Sequence, residues 1–159
     1  MTPAELTALK AHILANTDPA VQAALAIRND TELQRLYNLP ASPTVAAWLK
    51  AATARQIFEA TNITQFDSVS AGKRETWRML MDFAPIDFGR NQMRNALMDV
   101  WSAQNASQRN SILTALTEPA TVAQVALGGT NRTSEGVTAL DRNFWGQVSI
   151  ADIGAALNS

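Results

Sequence analysis

The sequence predicts a mainly α-helical protein: a single compact multi-helix domain with a Gly/Thr-rich loop or short β-hairpin before a C-terminal helix. Helix-start signals recur along the chain, as in Thr2–Pro3 and Asp18–Pro19, where a capping side chain precedes a proline. Apolar side chains then follow every three or four residues, which is the spacing of one helix face. The composition changes near residue 128, where Gly, Thr, Ser and Asn replace Ala and Leu.

The first third of the chain predicts three helices. The first follows the cap at Thr2, the second covers Ala20–Arg28, and the third follows a cap at Asp30. A loop is expected over residues 38–43, because its two prolines push the residues before them out of the helical region.

A fourth helix is expected over Thr44–Ala52, centred on Trp48. Thr53 has the position of a cap for a short helix over Ala54–Ala60, and residues 62–68 read as a connection.

Two stronger helices follow in the middle of the chain. Ser70 is expected to cap the first, which Pro85 ends, and Asp87 to cap the second, over Phe88–Ser102. Each carries an apolar stripe at helical spacing. The stripes consist of Trp77, Leu80, Met81 and Ala84, and of Met93, Leu97, Val100 and Trp101.

Two more helical segments, residues 107–116 and 122–127, precede the change in composition. Within the Gly/Thr-rich stretch, residues 137–140 and 144–148 could each form a short strand. Ser149 and Asp152 have the spacing of a capping box, which predicts a last short helix. We therefore divide the chain into a helical core over residues 1–127, a loop with short strands over 128–148, and a C-terminal helix over 149–159 that packs on the same domain.

Composition excludes several classes of function. Charged residues make up 17% of the chain and the net charge is −1, which excludes a general polyanion binder driven by counterion release. The chain has no cysteine and one histidine, which excludes disulfides, thiolate catalysis and metal sites with two imidazoles from one chain. No stretch reaches the roughly 18 apolar residues of a membrane span, and the N-terminus lacks a signal-peptide core.

Candidate catalytic residues are few. The single histidine, His12, lies between Leu9 and Ile13 at the edge of an apolar stripe, as an ordinary boundary residue does. Asp82 and Asp87 could converge at a corner between helices, but Asp87 has the position of a helix cap. We therefore assign no catalytic, cofactor-binding or metal-binding residue and expect no enzymatic activity and no cofactor.

Four arginines from two successive helices are candidates for partner binding: Arg74, Arg78, Arg90 and Arg94. Asn and Gln side chains accompany them, and these residue types contact phosphates and base edges in nucleic-acid complexes. Acidic residues lie among them, however, and a nucleic-acid-binding domain normally carries a marked basic excess. A solvated helix face with some ion pairing is therefore the favoured interpretation.

Trp48 and Trp145 are the other candidates for partner binding. Both lie in less regular segments near proline or glycine, and tryptophan is enriched at interface hot spots. Partial burial is the competing interpretation, because a large aromatic side chain is seldom left fully exposed.

Three stretches together suggest a family. Residues 35–43 read RLYNLPASP and lead into VAAW at 45–48, residues 70–77 read SAGKRETW, and residues 145–157 read WGQVSIADIGAAL. This layout resembles a family of small proteins of tailed bacteriophages and prophages that are encoded among late, structural genes. The family usually has an arginine soon after Trp48, where this chain has Leu49 and Lys50, and it tends to continue one helix through the position of Pro119.

The resemblance implies a viral context and supplies no catalytic residues. We therefore expect a non-enzymatic bacteriophage protein of virion structure or assembly: a head, neck or tail component, or an assembly factor. Its expected partners are other virion proteins or a second copy of the chain, with no membrane contact, in the host cytoplasm during assembly or in the virion. The alternative is a phage regulatory or host-directed binding protein that contacts nucleic acid through the four arginines.

Overall fold

The computed structural model describes residues 1–61, 66, 68–104, 106–144 and 146–159. This part of the chain is 55% helix and 14% strand, and its strands form a four-stranded mixed sheet. The prediction of a mainly α-helical fold is therefore wrong. A hairpin lies within residues 128–148, but its strands are residues 129–134 and 137–142 rather than 137–140 and 144–148, and two further strands from distant parts of the chain extend it into a sheet.

The described helices in chain order are α1 (Pro3–Ala15), α2 (Pro19–Ala26), α3 (Asp30–Tyr37), α4 (Ala54–Ala60), α5 (Ala71–Asp82), α6 (Asn91–Val100), α7 (Ala106–Ala115), α8 (Val122–Ala126) and α9 (Ile150–Asn158). The described strands are β1 (Ala46–Trp48), β2 (Thr117–Pro119), β3 (Gly129–Ser134) and β4 (Val137–Arg142). The strand order in the sheet is β2-β1-β4-β3.

Strand β1 replaces a predicted helix. The sequence predicts helix over Thr44–Ala52, but Ala46–Trp48 runs parallel to β4, with Ala47 opposite Leu140. Alanine favours helix locally, and pairing with a strand far along the chain overrides that weak preference. The local composition therefore does not predict this strand.

The hairpin of β3 and β4 turns at Glu135 and Gly136. Both residues have positive φ, 49° and 84°, which a type I′ turn requires at its two central positions. The strand predicted over residues 137–140 is confirmed as part of β4, whereas the described residues of 144–148 form no strand.

The chain forms two compact units. Unit 1 contains residues 1–45, 119–129 and 142–159, and unit 2 contains residues 46–118 and 130–141. The sheet lies in unit 2 apart from the terminal residues of its strands. Each unit therefore draws on separated stretches of the sequence.

Unit 1 is helical. The C-terminal helix predicted from Ser149 is present as α9, and it packs on α1 and α3. The core of this unit is built from Leu9, Ile13, Val21, Ala24, Leu33, Tyr37, Ala123, Leu127, Val148, Ile153 and Ala156.

Unit 2 has an aromatic core. The indole rings of Trp77 and Trp101 meet edge to face with centroids 6.0 Å apart, and Phe66 packs 6.1 Å from the ring of Trp77. Both tryptophans belong to predicted core stripes and both are buried, so their interpretation as packing residues is confirmed. Edge-to-face pairs are a favourable arrangement for aromatic rings.

Local capping signals begin most of the helices where the sequence predicts. Capping boxes start α1, α4, α8 and α9, including the predicted Ser149 box. Ser70 stands at the N-cap position of α5 as predicted, but its side chain makes no capping hydrogen bond. Two other predicted caps are wrong. Asn29, one residue before Asp30, caps α3. Asp87 does not cap a helix, because α6 begins at Asn91 and the Asp87 carboxylate accepts from the Gly89 N–H at 2.8 Å.

Candidate protein-interaction site

Trp48, a candidate partner anchor, is fully buried in the core of unit 2. Its Nε1 donates to the carbonyl oxygen of Arg132 at 3.2 Å. The guanidinium of Arg94 lies over its ring, 4.6 Å from the ring centroid, in the geometry of a cation–π contact. Trp48 therefore presents no surface to a partner in this structure. The other candidate, Trp145, lies outside the described residues.

Arg94, one of the four candidate arginines, is also buried, with 1% of the residue exposed. Its guanidinium donates to the carbonyl oxygen of Phe88, and at 3.4 Å to Oδ1 of Asn91. Its Nε has no acceptor among the described residues. Burial lowers the pKa of Arg94, although the guanidinium remains charged at neutral pH because arginine ordinarily holds its proton far above neutrality.

The polar groups near this arginine form an ion-pair network around Lys50. The Lys50 ammonium pairs with Asp141 and lies 3.6 Å from Asp87. Arg132 pairs with Asp141 at 3.7 Å, and Arg90 pairs with Asp87 at 3.5 Å. Three cations thus share two carboxylates, which leaves one excess positive charge, and all five groups belong to unit 2.

The four arginines do not form one accessible basic face. Arg94 is buried, Arg90 pairs with Asp87, and Arg78 pairs with Glu75 at 3.6 Å. Arg74 is exposed on α5. The four arginines therefore differ greatly in solvent accessibility, although their positions in the sequence suggested one shared face.

The two candidate carboxylates also lie in different surroundings. Asp82 is exposed in the last turn of α5, whereas Asp87 belongs to the Lys50 network. Among the described residues, no group of three or more His, Asp or Glu side chains is placed to hold a metal ion. No helix in the same residues has the length and apolar content needed to cross a membrane.

An exposed apolar surface lies on α5. Met79 and Phe83 are 51% and 72% exposed, and their i, i+4 spacing places them on one side of the helix. We call these two residues the α5 apolar face. The exposed side chains of Glu75, Arg78 and Asp82 occupy nearby helix positions. An apolar centre with a polar surround is the usual anatomy of a protein interface.

The sequence contains a signal for this face. Met79 and Phe83 fall outside the stripe of Trp77, Leu80, Met81 and Ala84 that predicts the core side of α5. Neither residue is among the candidate sites predicted from the sequence, which are tryptophans and arginines, although large apolar residues out of register with their own helix signal an exposed apolar surface.

A cleft of about 780 Å³ lies in unit 1. His12 and Asn16 line it, and both approach the hydroxyl of Tyr37: His12 Nδ1 at 2.8 Å and Asn16 Nδ2 at 3.5 Å. The ring of Tyr37 is fully buried. His12 is half-buried, as expected of a boundary residue, and it connects the unit 1 core to a cleft. No signal in the sequence pairs these residues, which lie on α1 and α3.

No family model, curated protein or solved structure matches this chain significantly. The candidate site is therefore defined by its own geometry.

Proposed function

We propose that this chain is a non-enzymatic bacteriophage protein of virion structure or assembly that acts through protein–protein contacts. The observation that carries the proposal is the α5 apolar face, where Phe83 is 72% exposed and Met79 is 51% exposed. Exposed apolar surface with a polar surround is typical of interaction sites.

The energetic argument rests on what these side chains gain in a complex. Full burial of one large apolar side chain stabilises by roughly 1.5–3 kcal/mol. Covering the exposed parts of both side chains would therefore contribute roughly 2–3 kcal/mol, which is about 30- to 150-fold in Kd. A contribution of this size makes the α5 apolar face a suitable centre for an interface.

The viral context is supported by the resemblance of residues 35–48, 70–77 and 145–157 to late-gene proteins of tailed bacteriophages. A net charge of −1 also favours association between copies, because little electrostatic repulsion opposes it. We therefore expect the partner to be another virion protein or a second copy of this chain.

The test compares three proteins by sedimentation velocity over a range of concentrations: wild type, the double variant Met79→Gln with Phe83→Ser, and the matched control Ile27→Ser. Ile27 is 75% exposed and lies in unit 1, so the control removes an equally exposed apolar side chain elsewhere. We expect the double variant to weaken self-association at least about tenfold, and the control to leave it unchanged.

If the partner is another virion protein, wild type sediments as a monomer, and the same three proteins are compared for incorporation into phage particles. The double variant is then expected to be depleted from the particles. Equal self-association and equal incorporation of all three proteins would contradict the proposal.

A further inference from the structure

The unit 1 cleft has an apolar wall and one polar end. Val21, Leu36, Leu39, Val122 and Val125 supply apolar side chains to the wall. The volume, about 780 Å³, lies within the range of small-molecule sites in proteins. The volume of the cleft and its apolar wall therefore suit a small ligand with an apolar body.

The polar end is organised by the buried hydroxyl of Tyr37. Asn16 Nδ2 donates to this oxygen at 3.5 Å, and Asn16 Oδ1 already accepts from the backbone N–H of Asp18 at 2.9 Å. The arrangement that also gives the hydroxyl hydrogen an acceptor has Tyr37 donating to His12 Nδ1, 2.8 Å away, and we adopt it as part of the proposal. A hydrogen bond of this kind makes Nδ1 the acceptor and leaves the proton of a neutral imidazole on Nε2.

His12 Nε2–H is a donor that a ligand in the cleft can use. Nδ1 is occupied by Tyr37, and the described hydrogen bonds of His12 do not involve Nε2. The imidazole is half-buried and lines the cleft. Burial lowers the pKa of His12, so the neutral ring predominates at neutral pH.

The charges around the cleft select against an anion. Asp18 is the only Asp, Glu, Lys or Arg among the described residues that line it. A carboxylate ligand would meet this negative charge without a compensating cation. A neutral carbonyl oxygen accepts a hydrogen bond without that penalty.

We propose that the unit 1 cleft binds a small neutral carbonyl compound, with its apolar part on the wall and its carbonyl oxygen accepting a hydrogen bond from His12 Nε2. Tyr37 is a positioning residue in this site, because it holds the imidazole in the tautomer that donates to the ligand. The site is independent of the α5 apolar face, so either proposal can fail alone.

The test uses the single histidine of the chain, whose NMR signals need no assignment by mutation. Long-range ¹H–¹⁵N spectra of the labelled protein at neutral pH report the tautomer. We expect the Nε2–H form in wild type and a mixture of both forms in Tyr37→Phe. A wild-type spectrum of the Nδ1–H form would overturn the proposal.

Binding is measured by titrating wild-type protein with N-acetyl-leucine methylamide and following the backbone amide signals of Val125 and Leu39. We expect saturable shifts, and an affinity at least tenfold weaker in His12→Phe, which keeps an aromatic ring but loses the donor. Tyr37→Phe should bind severalfold more weakly than wild type. Leu14→Gln, an exposed position on the same helix, should bind as wild type does.

Two further ligands complete the test. N-acetyl-leucine carries a carboxylate, and it should bind more weakly than the methylamide because of Asp18. An alkane of matched size lacks the carbonyl and should also bind more weakly. The absence of saturable shifts up to the solubility limit of the methylamide would overturn the proposal, as would equal affinity of folded His12→Phe or equal affinity for the alkane.

Discussion

Replacing Arg94 by methionine tests how a buried, incompletely paired guanidinium affects stability. Methionine retains an unbranched stem that can pack in the same space, and it removes the charge. The change eliminates the cation–π contact with Trp48 and the hydrogen bond to the Phe88 carbonyl. It also removes a buried cation whose Nε has no acceptor among the described residues.

The opposing contributions are similar in size. A desolvated cation–π contact is worth about 2 kcal/mol, and a hydrogen bond from a charged group about 1.5–3 kcal/mol. The desolvation of the guanidinium opposes these two contributions, and it costs several kcal/mol per buried ion. We therefore expect the free energy of unfolding of Arg94→Met to lie within about 1.5 kcal/mol of wild type. Arg94→Ala also loses the stem packing and should be at least about 2 kcal/mol less stable than the methionine variant.

Urea unfolding followed by tryptophan fluorescence suits this test, because Trp48, Trp77 and Trp101 all lie in unit 2. Each variant is fitted with its own baselines, since removing Arg94 changes the environment of Trp48. Equal m-values would show that the same surface unfolds in each protein. A loss above about 3 kcal/mol in Arg94→Met would contradict this expectation, because the desolvation cost of the guanidinium would then be much smaller than the energy of the lost contacts.

Two further predictions concern the Lys50 network and the start of α1. Gly89→Ala should destabilise the protein by about 1–3 kcal/mol in chemical denaturation, because a Cβ there would collide with the side chains of Asp141 and Lys50. If the Gly89→Ala variant is as stable as wild type, the side chains of the network can move aside freely, which contradicts the prediction. Hydrogen bonds from the backbone and side chain of Thr2 lower the pKa of Glu5 below its ordinary 4.5. The Glu5 carboxylate therefore stabilises the fold at pH values above 4.5, and this contribution is lost as the pH falls through the pKa of Glu5 in the folded protein. Glu5→Gln should therefore flatten the stability profile below pH 4.5 by less than about 1 kcal/mol, and an identical acid profile in both proteins would contradict the assignment.

The helix starts could be predicted because their causes are local. Thr2, Asp18, Thr53 and Ser149 cap the helices that the sequence assigns to them, since a cap needs only its own next few residues. Asp87 shows the limit of the rule. Its carboxylate pairs with Lys50, and the next helix begins only at Asn91.

The sheet could not be predicted because its causes are distant. Ala46–Trp48 has the composition of a helix, and it becomes a strand through pairing with β4. Short strands of this kind contribute little periodicity of their own, so a single sequence gives no evidence of their partner. Of the hairpin, only the strand over residues 137–140 could be predicted, and the strand that pairs with it, residues 129–134, lies in the predicted loop.

The same distinction between local and distant causes applies to the candidate sites. The exposure of Met79 and Phe83 follows from their position outside the apolar stripe of α5, which is a local property. The burial of Arg94 depends on Trp48, and the orientation of His12 depends on Tyr37. Each of these pairs joins residues that are far apart in the sequence, so the burial or the tautomer follows only from the folded structure.

The central claim, that this chain is part of virion structure or assembly, is tested most directly by quantitative mass spectrometry of purified phage particles and assembly intermediates. We expect a fixed number of copies per particle in at least one of these fractions, and fewer copies when Met79→Gln and Phe83→Ser are combined. Absence of the chain from every fraction would contradict the claim.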